Sequence, residues 1–208
     1  MDNYPSIQAI LDEFIQHIEA HSPISASELP NIDLYMDQVT TFMDEHLEHS
    51  KSYPEDKILT KTMINNYAKN RLLPPPEKKK YSKDHMLLLL FIYYFKNILS
   101  INDIQKLLTP MTDRYFKNED GTDMTWLYSH IMDREPEQSK RIGEDILHLS
   151  EDAQKIFADC PEDEQEYLHL LSVISLLSYD VYMKKQLIEK LIDSASFLED
   201  VSNTKKKK

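Results

Sequence analysis

The stretch Leu59-Thr-Lys-Thr-Met-Ile-Asn-Asn-Tyr-Ala-Lys-Asn-Arg-Leu-Leu-Pro-Pro-Pro-Glu-Lys-Lys-Lys-Tyr81 decides how this chain is read. Thr60 belongs to the residue class that caps helix N-termini, because its hydroxyl oxygen accepts from an amide of the first turn that has no partner in the helix. At about 100° per residue, Met63, Ile64 and Tyr67 then fall on one side, and Lys61, Thr62, Asn65, Asn66 and Lys69 on the other. The spacing predicts a short helix over 61–70 with an outer face free of acids. Three prolines, 74–76, end regular structure, since proline supplies no amide hydrogen. Lys78, Lys79, Lys80 and Tyr81 follow as a basic loop or wing.

Charge sets this stretch apart from the rest. Between Lys57 and Lys83 stand eight basic residues and one acid, Glu77, a local charge of +7 in a chain whose net charge is -12. The remainder therefore carries -19. A cationic island on an acidic molecule calls for an anionic partner, and double-stranded DNA fits, because neutralising phosphates releases condensed counterions. Asparagine reads adenine through two hydrogen bonds and lysine contacts guanine or phosphate, so Lys61, Thr62, Asn65, Asn66 and Lys69 are candidate groove contacts. Lys78, Lys79, Lys80 and Tyr81 are candidate backbone contacts, which position a protein without reading sequence, and Arg71 is a further candidate DNA contact.

Composition points to helices. The chain has 208 residues, 41% hydrophobic and 29% charged, and only two glycines. Parallel sheets, tight hairpins and phosphate-cradling loops all consume glycine. A lone cysteine, Cys160, allows no internal disulfide and no thiolate cluster. The opening Met-Asp-Asn-Tyr-Pro has no signal-peptide pattern. The longest apolar run, Met86 to Phe95, falls short of the ~20 residues that span a bilayer. The expectation is a soluble cytoplasmic protein without membrane contact or cofactor.

Along the chain, apolar spacing predicts helices over 5–21, stopped by Ser22-Pro23, and over 32–47, followed by a polar loop over 48–57 that contains Pro54. Helix 83–99 is apolar nearly all round and should form the buried centre of its domain. A brief helix from Ile101 to Leu108 follows, ended by Pro110. Residues 111–140 read as a linker, 144–158 as a helix, and 163–199 as a long helix. In the last, Tyr167, Leu170, Ile174, Leu177, Val181, Ile188, Leu191, Ala195 and Leu198 keep a three-four alternation broken only at Lys184, the mark of a helix-pairing seam. The expected divisions are 1–56, N-terminal helices packing on the binding domain; 57–110, the binding domain; 111–140, the linker; 141–200, a helical dimerisation or sensing module; and 201–208, a disordered basic tail.

The pieces Thr60-Lys-Thr-Met-Ile-Asn-Asn-Tyr67, Leu72-Leu-Pro-Pro75, Lys78-Lys-Lys-Tyr-Ser82 and Ile101-Asn-Asp-Ile-Gln-Lys-Leu-Leu108 resemble, in that order, the DNA-binding domain of the MerR family of bacterial regulators. The whole chain, including Asp33-Leu-Tyr-Met-Asp-Gln38, also resembles a group of Firmicute proteins called YkrK-like, which carry this MerR-like helix-turn-helix. In the MerR pattern a glycine stands where this chain has Arg71, and Arg-Tyr where it has Asn65-Asn66. The resemblance implies a mostly α fold, a winged helix-turn-helix joined to a C-terminal helical bundle or long helix, and a homodimer on DNA. Activation by DNA distortion is what most of that family implies; repression is the preferred reading here, with a small-molecule or protein effector left open.

Other features have plainer readings. Phe91-Ile-Tyr-Tyr-Phe95 offers rings for base stacking, but on so apolar a helix they belong to the core. His46 and His49 have a metal-ligand spacing on an acidic helix, which reads as a surface face, so no metal site is assigned. No Ser-His-Asp order or glycine-rich loop points to catalysis, and the chain is read as a non-enzyme. The rival reading is a helical protein-interaction module that binds no DNA and uses its acidic surface.

Overall fold

The computed structural model describes residues 5–20, 23–51, 53 and 55–195. Among them the chain forms α1 (Ile7–Ala20), β1 (Leu34–Tyr35), α2 (Met36–His46), a 3₁₀ turn (Glu48–Ser50), α3 (Lys61–Lys69), β2 (Lys80–Tyr81), α4 (Lys83–Phe95), α5 (Ile101–Tyr115), α6 (Met124–Met132), α7 (Glu135–Ile156) and α8 (Glu162–Ser194). The fold is mostly helical. None of these helices is long and apolar enough to cross a membrane. Ser22, Pro54, Leu198, the end of the expected last helix and the 201–208 tail lie outside the described residues.

The chain divides into two compact units. The first runs from Ile24 to Met132 and takes in the last turns of α8 from Ile188. Its centre is α4, whose residues from His85 to Tyr93 are all buried, as the unbroken apolar run predicts. Each such leucine or isoleucine contributes ~1.5–3 kcal/mol relative to an exposed one. Around α4 pack Val39 and Met43 of α2, Ile64 and Tyr67 of α3, Ile104 and Leu108 of α5, Met124 and Tyr128 of α6, and Ile192 of α8. The Tyr128 hydroxyl donates to the Ile24 carbonyl at 2.8 Å, so its burial leaves no polar atom stranded. Lys96 donates to the Ile58 carbonyl at 2.8 Å and stands over the Tyr93 ring, which fixes the approach to α3.

Three sequence expectations change in this unit. The helix expected over 32–47 starts at Met36, because Leu34 and Tyr35 pair antiparallel with Tyr81 and Lys80, a partner remote in sequence. The helix expected to stop at Pro110 runs through it to Tyr115. A proline inside a helix costs ~3 kcal/mol. Here Leu108 is buried on one side of it and Met111 and Tyr115 pack on the core on the other, while Thr109 and Thr112 hydroxyls donate to the Gln105 and Leu108 carbonyls. The stretch 111–140, expected as a linker, holds the end of α5, all of α6 and the start of α7, and Tyr128 within it is wholly buried.

The second unit is built from α1, α7 and α8 up to Leu187. Helix α1, expected to pack on the binding domain, lies against α7. Helix α7 begins nine residues earlier than expected, since Pro136 sits in its first turn, where a missing amide hydrogen costs nothing. Its buried stripe is small: Ser139, Gly143, Ser150 and Ala153. A Cβ on Gly143 would come within 3.2 Å of Ile15 on α1, so glycine permits this close approach.

Candidate nucleic-acid interface

Thr60 caps α3 as expected: its Oγ1 accepts from the Met63 amide at 3.1 Å. Ile64 and Tyr67 are buried and Met63 is half-buried, which fixes the helix on the core and turns Lys61, Thr62, Asn65, Asn66 and Lys69 outward. The structure brings these five side chains to one exposed face. It also places Asp37 of α2 in an ion pair with Lys61, so the acid-free face read along α3 borrows one carboxylate from a neighbour. Both partners are well exposed, and such a pair is worth little, about 0–1 kcal/mol.

The end of α3 is where the sequence departs from expectation most usefully. Arg71 follows the C-cap Asn70 and holds φ at +58°. The Leu72 amide donates to the Tyr67 carbonyl at 2.9 Å and the Arg71 amide to the Ala68 carbonyl at 3.1 Å. These two bonds define a Schellman termination, whose left-handed position is ordinarily glycine. Leu72 and Leu73 then sink into the core, and the chain turns out through the prolines to the wing.

The wing is a tight hairpin. The Lys80 amide donates to the Glu77 carbonyl at 2.8 Å, and the two residues between, Lys78 and Lys79, hold φ at +48° and +64°. Positive φ at both central positions is the type I′ turn, in which Asn-Gly is the favoured pair. Lys78 and Lys79 are exposed, while the Lys80 ammonium lies 5.2 Å from the centre of the exposed Tyr35 ring. Tyr81 must be removed from the contact set. It is only 4% exposed, pairs with Leu34, and meets the buried His85 ring edge to face, so its phenol cannot reach a phosphate.

Lys117 is the cation that sequence reading missed. Its backbone also holds a positive φ, +55°; its amide donates to Asp84 at 2.7 Å and its ammonium pairs with Glu77, the wing's one acid. That contact holds the Glu77 carboxyl below its usual range and neutralises it. Nothing in the local sequence marks Lys117, since its partners lie 33 and 40 residues away. Among the described residues, the non-glycine positions with positive φ are Arg71, Lys78, Lys79 and Lys117, and every one is basic.

His85 closes the site from below. Its Nδ1 accepts from the Ser82 amide at 3.0 Å, which puts the ring proton on the buried Nε2, on the side of the Pro74 and Pro75 carbonyls. Burial holds its pKa below the ordinary histidine value, and the Pro75 carbonyl offsets this in part. His46 Nδ1 donates to the Phe42 carbonyl of its own helix at 2.9 Å, and its ring stacks on the Phe42 ring. Among the described residues no group of three or more His, Cys, Asp or Glu side chains is placed to hold a metal ion.

The family described as "Domain of unknown function (DUF1836)" matches residues 24–131, just over half of the chain. This chain belongs to the DUF1836 family. The matched span coincides, to within a residue at its end, with the continuous part of the compact unit Ile24–Met132. The DUF1836 domain therefore comprises α2 to α6 with the wing, and contains every one of the candidate contacts. No curated protein and no solved structure matches the chain.

Proposed function

We propose that the DUF1836 domain of this chain binds double-stranded DNA as a transcriptional regulator, with α3 in the major groove and the Glu77–Lys80 hairpin on the backbone. The observation that carries this reading is the backbone strain at Arg71, Lys78 and Lys79. A left-handed conformation costs an L-residue ~1–2 kcal/mol, and glycine would remove most of that cost. Three exposed basic side chains held there, beside an exposed face of lysines and asparagines, make sense where the cations themselves are needed. Order along the chain follows the MerR resemblance in its capped helix, Leu-Leu-Pro-Pro, basic wing and apolar helix, while α5, at the place of the short leucine helix, is longer.

The regulator acts as a homodimer in this reading. One nine-residue recognition helix offers few base contacts, and paired half-sites supply the rest. Support comes from α8, where the seam residues Tyr167, Ile174 and Val181 are 65%, 52% and 65% exposed, with Leu170, Leu171 and Tyr182 beside them. A stripe this apolar, repeated at heptad spacing and exposed among the described residues, suits a second copy of the same helix. Toward its end the seam turns inward, and Ile188 and Ala195 pack on the DUF1836 core. Repression by promoter occupancy is the preferred mode.

Titration of the protein into its own upstream promoter DNA, followed by fluorescence anisotropy, tests the reading. Binding that resists competitor DNA and weakens steeply with salt is expected. Absence of binding at low salt would transfer the reading to an interaction module that uses the acidic surface.

A further inference from the structure

The DUF1836 domain also holds a cavity that the DNA-facing surface does not use. It lies between α4, α5 and α6 and measures about 420 Å³, with Phe91, Phe95, Leu108, Met111 and Leu127 among its walls. That volume falls within the ~300–1,000 Å³ of ordinary small-molecule sites. Its lining is hydrocarbon and ring with a single charged side chain, Arg114, whose guanidinium stands 5.4 Å from the Tyr115 ring. An open apolar cavity with one exposed cation on its wall suits a ligand with an apolar body and one anionic head. A planar guanidinium pairs best with a carboxylate, through two parallel hydrogen bonds.

Helix α5 joins this chamber to the recognition helix. Gln105, on its first half, donates to the carbonyl of Asn70, the C-cap of α3, at 3.0 Å. Lys106, beside it, pairs with Asp193 near the end of α8 at 3.2 Å. Met111, Arg114 and Tyr115, on the second half, line the cavity. Between the halves sits Pro110, which has no amide hydrogen to give the Lys106 carbonyl, so the helix is weakest there. A ligand shifts a conformational equilibrium only through contacts that differ between the two states. Anchoring Arg114 on one side of this break alters how Gln105 and Lys106 are presented on the other.

We propose that this cavity binds a monocarboxylate with an alkyl or aryl body, and that occupancy changes the DNA affinity of α3 through α5. The second clause rests on the DNA-binding reading above; the first does not. The chain carries its own reporter, since its one tryptophan, Trp126, stacks on Tyr115 at 6.3 Å. The experiment titrates the full chain with decanoate and with naphthalene-1-carboxylate, and with decanol as the uncharged counterpart, following Trp126 fluorescence and titration heat. Saturable carboxylate binding is expected, weakened roughly tenfold or more in Arg114→Gln, with decanol affected less than twofold. Ile131→Phe, at the exposed rim of the cavity, should weaken all three probes and serves as a second variant. No saturable response from any probe up to about 5 mM overturns the site, a concentration at which even weak small-molecule binding registers. Equal binding of decanol and decanoate, or an Arg114→Gln chain unchanged toward decanoate, overturns the anion. A Trp126 signal that follows protein concentration and not carboxylate overturns it too, and gives the groove to a second copy. In the same tubes, promoter DNA affinity should shift at least threefold with saturating decanoate in the wild type and stay fixed in Arg114→Gln. Decanoate binding with unmoved DNA affinity overturns the coupling. Decanoate binding by a chain that binds no DNA overturns the regulator reading and leaves the site standing.

Discussion

Replacing Lys78→Asn and Lys79→Gly together should move stability and DNA binding in opposite directions. Both positions hold positive φ in a two-residue turn closed by the Lys80 amide and the Glu77 carbonyl. Each lysine gives up ~1–2 kcal/mol to stand there, and Asn-Gly is the pair that this turn prefers. Glycine returns part of that gain through the larger entropy of its unfolded chain, ~0.5–1 kcal/mol. Asparagine recovers only part of its lysine's cost, so a net stabilisation of about 1–2 kcal/mol remains, which for a domain near 100 residues raises Tm by roughly 5–10 °C. Binding should fall for an electrostatic reason. If each lysine neutralises one phosphate, the slope of log K against log salt loses about 0.9 per residue, or about 1.8 in all. At 0.1 M salt the same relation takes roughly eightfold from the affinity per lysine, near sixtyfold for the pair. Calorimetry gives the first quantity, and fluorescence anisotropy on promoter DNA at 50–300 mM salt gives the second. A variant that is more stable and binds with unchanged affinity and slope would refute the idea that strain is retained here for the cations. A variant that melts lower would refute the turn geometry itself.

Three further expectations follow from particular contacts. Thr60→Ala removes the oxygen that accepts from the Met63 amide and should cost ~1 kcal/mol by chemical denaturation, with Thr60→Ser recovering most of it. His85 is held below its ordinary pKa of 6.5 by burial, so the unfolded chain takes up its proton first. Stability complete above about pH 6.5 is then lost as pH falls through that value toward the folded pKa, and His85→Gln should flatten the Tm profile between about pH 7.5 and 5.5. Glutamates at Leu170 and Ile174, both exposed in the single chain, should leave Tm near the wild-type value and convert dimer to monomer in sedimentation equilibrium. A dimer that survives them would place the interface elsewhere.

Much of the domain was legible in its own sequence, and what was hidden shares a physical cause. The apolar run Met86–Phe95 can only be satisfied by burial on all sides, so the central place of α4 could be read directly. Thr60, followed by three apolar residues at helical spacing, carries α3 and its cap in one local pattern. Strand β1 could not be read this way, because Leu34 and Tyr35 become a strand only through Tyr81 and Lys80. Pro110 misled because its local penalty is real, and only the packing of Leu108, Met111 and Tyr115 outweighs it. At the candidate site the five outward residues of α3 were legible from angle alone. The Asp37 partner of Lys61, the Lys117 partner of Glu77 and the burial of Tyr81 all depend on contacts between separate elements. The left-handed φ of Arg71 stands at a position where the residue type gave no sign of it, and the same holds at Lys78 and Lys79.

The most direct test is a footprint of the full chain on its own upstream promoter, beside a Lys61→Glu/Asn65→Ala/Lys69→Glu variant whose changes all lie on the exposed face of α3. A protected site that survives excess competitor DNA and disappears in the variant, with Tm unchanged, is the predicted result. Protection that persists in the variant, or no protection for the wild-type protein even at low salt, would contradict a DNA-reading role for this face.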